Sequence, residues 1–391
     1  MESIHDRLPV ISLFSGAGGL DQAVERCAEP EMSSGDLQGP YRVAVATDYN
    51  EDALKTLSTN LPDTATMLGD IRAIPAKSLL SLGQIKRGDA ALVVGGPPCT
   101  PFSKSGFHLE EKRTSSDPNA SLLDEYLRIV DEARPEAFVL ENVQGLTYRT
   151  HQRQFARLLG GLEALGYNPQ FRVLLAADYG VPQLRRRVFV IGRRDGQQLL
   201  FPEPTHSGWS EKDRVFDETK LPFKTAGEAI GHLLPGEPEG GEIVEGRYAD
   251  LAAEIPPGHN YLWHTVRGGG KPAFEWRTRY WTFLLRLTPD RPSTTLQAQP
   301  GPWVGPFHWE NVLNRNGESR ARRLRLPEIL ALMTFPSNFI VVGDRQKFQR
   351  QLGNAVPVEL GKVVIKAVAQ QLGHMNSNLD LVPGELYQKA L

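Results

Sequence analysis

The chain has 391 residues, 40% hydrophobic and 23% charged, with a formal net charge of −2; this fits a soluble globular enzyme of two domains, or one large domain with an insertion. Met1 to Pro9 has no signal-peptide core, no apolar run is long enough to span a bilayer, and the two cysteines, Cys27 and Cys99, lack metal-ligand spacing. Those points argue against a secreted disulfide scaffold, a membrane protein and a zinc protein, and favour a reducing, cytoplasmic compartment, while leaving open a local basic face for a polyanion.

In chain order, residues 10–14 read as a strand, and Ser15-Gly16-Ala17-Gly18-Gly19 turns into a helix from about Leu20 to Cys27. Residues 41–47 alternate as a second strand that ends at Asp48, and Asn50 caps a helix running toward Asn60. Residues 64–68 form a weaker strand ending at Gly69-Asp70. Ala90-Ala91-Leu92-Val93-Val94 reads as a buried parallel strand, and Gly95-Gly96-Pro97-Pro98-Cys99 follows it. Ser121 caps a helix with Leu122, Tyr126, Ile129, Val130 and Ala133 on one face. Residues 137–140 are a strand ending at Glu141-Asn142; a helix with Phe155, Leu158, Leu159, Leu162 and Leu165 follows, closed by Gly166. Residues 171–176 and 187–192 read as a final strand pair. This rhythm predicts an α/β fold with a doubly wound, mostly parallel sheet.

After about Arg194 the texture changes, and all six tryptophans lie from Trp209 onward. Loops rich in glycine and proline replace the alternation until Pro357, where Val358, Leu360, Val363, Val364, Ala367 and Val368 mark an amphipathic helix. The expected division is a first domain over 1–194, a smaller inserted domain over 195–343, and a segment over 344–391 that returns to the first.

Five motifs carry chemistry. The turn after the first strand lets a ligand approach backbone closely, with Asp48 and Asp70 ending neighbouring strands where they can meet a nucleoside; tight strand–helix packing is the competing explanation of the turn. Cys99 stands on a stiff turn at a strand end, either as a nucleophile or as a small buried thiol, and residues 100–106 read as a flap whose Lys104 favours the thiolate. Glu141-Asn142-Val143 places a carboxylate at the end of the adjacent strand, toward the same cleft. In Gln183-Leu184-Arg185-Arg186-Arg187, alternation puts Arg185 and Arg187 on one face, unless the run is simply a solvated charge patch. Gly353-Asn354-Ala355-Val356 precedes the last helix, where Asn354 also suits an N-cap.

Together and in this order, Phe14-Ser-Gly-Ala-Gly-Gly, Gly96-Pro-Pro-Cys99, Glu141-Asn-Val, Gln183-Leu-Arg-Arg-Arg187 and Gly353-Asn-Ala-Val resemble the DNA (cytosine-5) methyltransferase family of bacterial restriction–modification systems. The resemblance implies a Rossmann-like catalytic domain with an inserted target-recognition domain, S-adenosyl-L-methionine as cofactor, and a flipped-out cytosine in double-stranded DNA as substrate. It further implies a monomer with no membrane partner and a cognate restriction endonuclease acting separately. By position, Phe14 contacts the adenine, Gly16 and Gly18 admit the methionine part, Asp48 holds the ribose, Asp70 with Ile71 reads the adenine edge, and Asn354 and Val356 complete the pocket. Cys99 attacks C6, Glu141 bonds N3 and the exocyclic amine, Arg187 bonds O2, and Arg185 steadies the thiol and the nucleotide. The chain departs from the pattern at Thr100, where relatives carry Gln, at Asp48, where Glu is commoner, in Leu332-Met333-Thr334-Phe335-Pro336, a loose version of Leu-Gln-Gly-Phe-Pro, and in an insertion over 29–39.

In the inserted domain, Arg267, Lys271, Arg277 and Arg279 are candidates to meet bases or phosphates. Trp276, Tyr280, Trp281 and Phe283 are expected in its core, and Arg320, Arg322, Arg323 and Arg325 on the nucleic-acid backbone. The rival readings are a tRNA cytosine-5 methyltransferase, a catalytically silent nucleic-acid-binding homologue, and a nicotinamide dehydrogenase, which leaves Pro97-Pro98-Cys99 unexplained.

Overall fold

The computed structural model describes residues 7–28, 39–98, 122–208, 217–233 and 241–385. The first half alternates strands and helices: β1 (Leu8–Leu13), α1 (Gly19–Glu25), β2 (Tyr41–Asp48), α2 (Glu51–Asn60), β3 (Ala65–Leu68), α3 (Ala76–Leu82), β4 (Leu92–Gly95), α4 (Leu122–Ala133), β5 (Ala137–Val143), α5 (Gln152–Ala164) and β6 (Gln170–Leu175). β7 (Gln183–Leu184) and β8 (Arg186–Arg193) follow. Seven strands form one sheet in the order β3-β2-β1-β4-β5-β8-β6. β1 to β5 run parallel, and β8 lies antiparallel between β5 and β6. The expected mostly parallel sheet is therefore present, and the final strand pair supplies its one reversed strand.

Burial on both sheet faces makes the central strands near-continuous buried runs: β2, expected to alternate, is buried from 41 to 47 except at Arg42, whereas the edge strand β3 alternates. In β4 all four residues are buried. One face is covered by Leu20, Ala23 and Val24 of α1. The other takes Tyr126, Ile129 and Val130 of α4 with Phe155, Leu158 and Leu162 of α5. The side chain of Asn50 accepts from the Ala53 amide at 3.1 Å and starts α2, as its position predicts. Ser121 lies outside the described residues.

The chain moves outward from β1 to β3, then crosses back to β4 on the other side of β1. That reversal opens a crevice at the carboxyl ends of β1 and β4, where open α/β sheets bind their ligands.

Beyond β8 the elements are short: β9 (Phe201–Pro202), β10 (His206–Ser207), β11 (Leu221–Pro222), α6 (Ala226–Ile230), α7 (Ala249–Glu254), β12 (Ser293–Thr294), the antiparallel pair β13 (Phe307–Leu313) and β14 (Ser319–Arg323), α8 (Leu326–Leu332), α9 (Arg345–Asn354), α10 (Val358–Gln371) and β15 (Leu381–Val382). A separate small core gathers Val244, Tyr248, Ala252, Ile255, Tyr261, Leu284, Phe307 and Ala321. Leu296, Leu324, Ile329, Phe335 and Phe339 instead join the main core with α10. The stretch over 195–343 thus contributes to two cores. α10 lies against α1 so closely that a Cβ at Gly361 would sit 2.6 Å from that of Ala23.

Two expectations for this region are corrected. Trp276, Tyr280 and Trp281 are 39%, 66% and 61% exposed, and of that group only Phe283 packs against the small core. The loop turns its 276–281 side chains to solvent and goes inward only at Phe283 and Leu284. Arg322 of β14 and Arg325 at the start of α8 also turn inward. Arg322 is buried and bonds both oxygens of Glu328 at 2.9 and 2.7 Å, and Arg325 reaches Glu242 at 2.8 Å. Arg322 thereby ties β14 to α8, Arg325 ties the start of α8 to Glu242, and both guanidinium groups spend their charge inside the protein.

Candidate active site

Two turns border the crevice. The first leaves β1, with Phe14, Gly16 and Gly18 at φ of 53°, 56° and 89°. Left-handed backbone is cheap for glycine and strained for phenylalanine, and such strain is typical of ligand-holding turns. The Gly16 amide donates to Oδ2 of Asp48 at 2.8 Å, and the Asn50 amide donates to Oδ1 at 2.8 Å. The end of β2 is thereby bonded to the glycine turn. Burial pushes the Asp48 carboxyl up, and the amides of Asn50 and Gly16 pull it down. Space above Gly16 is open: an added Cβ there would meet nothing within 4 Å.

The loop before α10 closes on the same turn. A Cβ at Gly19 would lie 2.5 Å from the carbonyl oxygen of Val356. Val356 is buried and Asn354, the last residue of α9, is exposed. Asp70 follows β3 and accepts from the Arg72 amide at 3.0 Å while pairing with its guanidinium, which holds the carboxyl below its ordinary range. Ile71 beside it is buried. The structure therefore joins Phe14, Gly16, Gly18, Asp48 and Val356 directly and sets Asp70 and Ile71 at the end of the strand next to β2.

The second turn leaves β4. A Cβ at Gly95 would sit 2.9 Å from the Leu13 carbonyl oxygen, so this backbone passes hard against β1. A Cβ at Gly96 would sit 3.1 Å from Oε2 of Glu141. Asn142 donates from Nδ2 to the Pro97 carbonyl at 3.0 Å. The end of β5 thus grips the turn that leads to position 99. Cys99 itself, and the flap over 100–106, lie outside the described residues.

Glu141 is buried, and its Oε1 meets Nε of Arg187 at 2.7 Å. Burial raises the carboxyl's pKa, against the pull of Arg187 and then Arg185. Both arginines act on Glu141, as alternation along the segment predicts. Their roles differ. Arg185 is fully buried and donates to the carbonyls of Leu296 at 3.2 Å and of Gly353 and Ala355 at 2.9 Å each. It clasps the loop before α10 onto the sheet.

Sequence reading passed over two residues here. Tyr49, directly after Asp48, is 70% exposed at the sheet edge; an aromatic following the acid at a strand end was the available signal. Asp21 on α1 is wholly buried, with its carboxyl raised to about 7 mainly by desolvation; an acid inside an otherwise apolar helix face was the signal. Cys27, the other thiol, is buried and pushed up to about 12, which leaves it unreactive. Among the described residues no cluster of three acidic, histidine or cysteine side chains is arranged to hold a metal, and no helix is long and apolar enough to cross a membrane.

A family model for C-5 cytosine-specific DNA methylases matches residues 8–370. The chain is 65% identical to the type II methyltransferase M.SacI of Streptomyces achromogenes, over 98% of each chain. It is 30% identical to the type II methyltransferase M1.HphI of Haemophilus parahaemolyticus, over 95% of this chain and 88% of that one. Among solved structures it shares its fold with the Entamoeba histolytica methyltransferase EhMeth (TM-score 0.61, 18% identity, 94% of this chain and 99% of that chain). The S. pombe Dnmt2 methyltransferase is comparable (TM-score 0.60, 18% identity, 94% and 99%).

Proposed function

Because this chain belongs to the C-5 cytosine-specific DNA methylase family, and so is a DNA (cytosine-5) methyltransferase, we propose that it modifies one cytosine within a specific duplex sequence through a transient bond from Cys99. One observation carries the reading: the buried carboxyl of Glu141, held by Arg187, stands against the Gly96–Pro97 backbone that delivers Cys99.

The family depends on S-adenosyl-L-methionine, and the crevice residues fit it. The open space over Gly16 and the Asp48 carboxylate tied beside it suit an aminoacyl chain and a ribose. Phe14, Gly16, Gly18, Asp48, Asp70, Ile71, Asn354 and Val356 would hold it, with the exposed ring of Tyr49 beside the base. When bound, this cofactor supplies an electrophilic methyl group.

The chain's own residues prepare the acceptor. The Cys99 thiolate adds to C6 of the flipped cytosine, and the ring electrons move onto C5. Glu141 bonds N3 and the exocyclic amine where charge accumulates, and its raised pKa suits a carboxyl that carries a proton toward N3. Arg187 holds Glu141 and reaches O2, while Arg185 fixes the 353–355 loop and steadies the nucleotide. Once C5 is methylated, loss of its proton restores the C5–C6 double bond and expels the thiolate.

The region around the small core reads the target. Arg267, Lys271, Arg277 and Arg279 are all exposed there, beside the exposed rings of Trp276, Tyr280 and Trp281. Likeness to type II methyltransferases supports a restriction–modification role, with the endonuclease a separate protein. Plasmid DNA of mixed sequence, treated with the enzyme and S-adenosyl-L-methionine and then bisulfite-sequenced, should show one protected cytosine in one recurring sequence. Cys99→Ala should show none; methylation persisting in that variant would end the covalent reading.

A further inference from the structure

Asp21 lies beneath the glycine turn, three residues into the segment that follows Gly18; a Cβ on Gly18 would be 3.7 Å from that of Asp21. The side chain is fully buried and makes no ion pair among the described residues. Hydrogen bonding from Ser12 of β1 pulls its pKa down against the burial, and the Ser12 hydroxyl is 2.8 Å from that of Ser15 in the turn. The charged groups that act on Asp21 are both acids: Glu25 one turn further along α1, and Asp48 from β2. Glu25 has its own cation, Arg7, at 2.9 Å. On α10, which packs against α1, Glu359 and Lys362 pair with each other at 2.9 Å. An acid buried under such conditions without a cation is unfavourable when charged.

We propose that Asp21 is a positioning residue for the methyl donor, its buried charge acting through Ser12 and Ser15 to favour the cationic sulfonium over the neutral thioether left after transfer. This rests on the reading of the glycine turn as the S-adenosyl-L-methionine site. The cofactor's ammonium group is common to both forms, so only the sulfonium charge separates them. With the sulfonium bound, Asp21 gives its proton to solvent and stays ionised; with the thioether bound, it keeps the proton. Its carboxyl, raised to about 7 by burial, makes the sign definite. Affinity for the sulfonium rises as pH climbs through 7 and levels off above it, while affinity for the thioether changes less.

Isothermal titration calorimetry of the full chain tests this, using S-adenosyl-L-methionine and S-adenosyl-L-homocysteine between about pH 6 and pH 8 in buffers of different ionisation enthalpy, a window set by the linkage rule. The wild-type protein should release more protons with the sulfonium than with the thioether near neutrality, a comparison that needs no variant. Asp21→Asn, checked for folding by circular dichroism, should lose that excess and shift the ratio of the two affinities roughly tenfold toward the thioether, as expected for one charge at moderate distance in a protein interior. Equal proton release by wild type, or an unchanged ratio in Asp21→Asn, overturns the proposal. Failure of wild type to bind either ligand overturns the reading of the turn, and the role of Asp21 falls with it.

Discussion

A carboxyl group that is 7% exposed and salt-bridged at 2.7 Å, as Glu141 is, has two competing environments. Desolvation is the first cause acting on it and the arginines the second, so the group is easier to protonate than a surface glutamate. A glutamine in its place keeps the shape and one oxygen for Arg187 but has no acidic proton. Glu141→Gln should lower kcat by about 10²–10³-fold, the usual worth of a positioned acid, while DNA affinity in gel-shift titrations changes little. An unchanged kcat with weakened DNA binding would assign Glu141 to binding alone. The positions of Glu141 and Arg187 were legible in the sequence because each sits at a fixed place on a strand. The clasp made by Arg185 was not, because its acceptors are backbone carbonyls at residues 296, 353 and 355, far away along the chain.

Among the elements, Thr334 stands where the family pattern Leu-Gln-Gly-Phe-Pro has glycine. Its φ is 56°, a left-handed conformation that a β-branched residue adopts only under strain. The hydroxyl offsets this by accepting from the Glu359 amide at 3.0 Å, in the first turn of α10. Thr334→Val keeps the strain and removes the acceptor, so it should destabilise the protein by about 1–2 kcal/mol, as lost helix caps do. Chemical denaturation would show the shift, and a variant as stable as wild type would mean the hydroxyl contributes nothing.

The long helices were readable because their apolar residues repeat at the helical period, and the central strands because they are short, nearly unbroken apolar runs. The exposed aromatics near residue 280 and the paired Arg322 and Arg325 were not. Arg325 finds Glu242 from another part of the chain, and charge patterning along a segment carries no information about such a partner.

For the whole molecule, a net charge of −2 means that attraction to DNA has to be local. The loop carrying Arg277 is shaped from below. Asn260 donates to the Trp281 carbonyl at 2.8 Å, and the Tyr261 hydroxyl donates to the Arg279 carbonyl at 2.9 Å, both from buried positions. Arg277 itself is exposed and makes no ion pair among the described residues. Arg277→Ala should weaken DNA binding by roughly tenfold or more, within the range for a lost base contact, and leave S-adenosyl-L-methionine affinity unchanged. Fluorescence anisotropy at several salt concentrations would separate the cases: a shallower salt slope marks a phosphate contact, and an unchanged slope with relaxed sequence preference marks a base contact. No change in either would move the target face elsewhere.

Gly19 near the start of the chain abuts Val356 near its end, and Arg185 in the middle fastens that late loop. During synthesis, the glycine turn and Asp48 leave the ribosome long before the strand-edge partner that finishes their pocket. A nascent chain therefore carries an unfinished glycine turn until the 353–356 loop and α10 emerge.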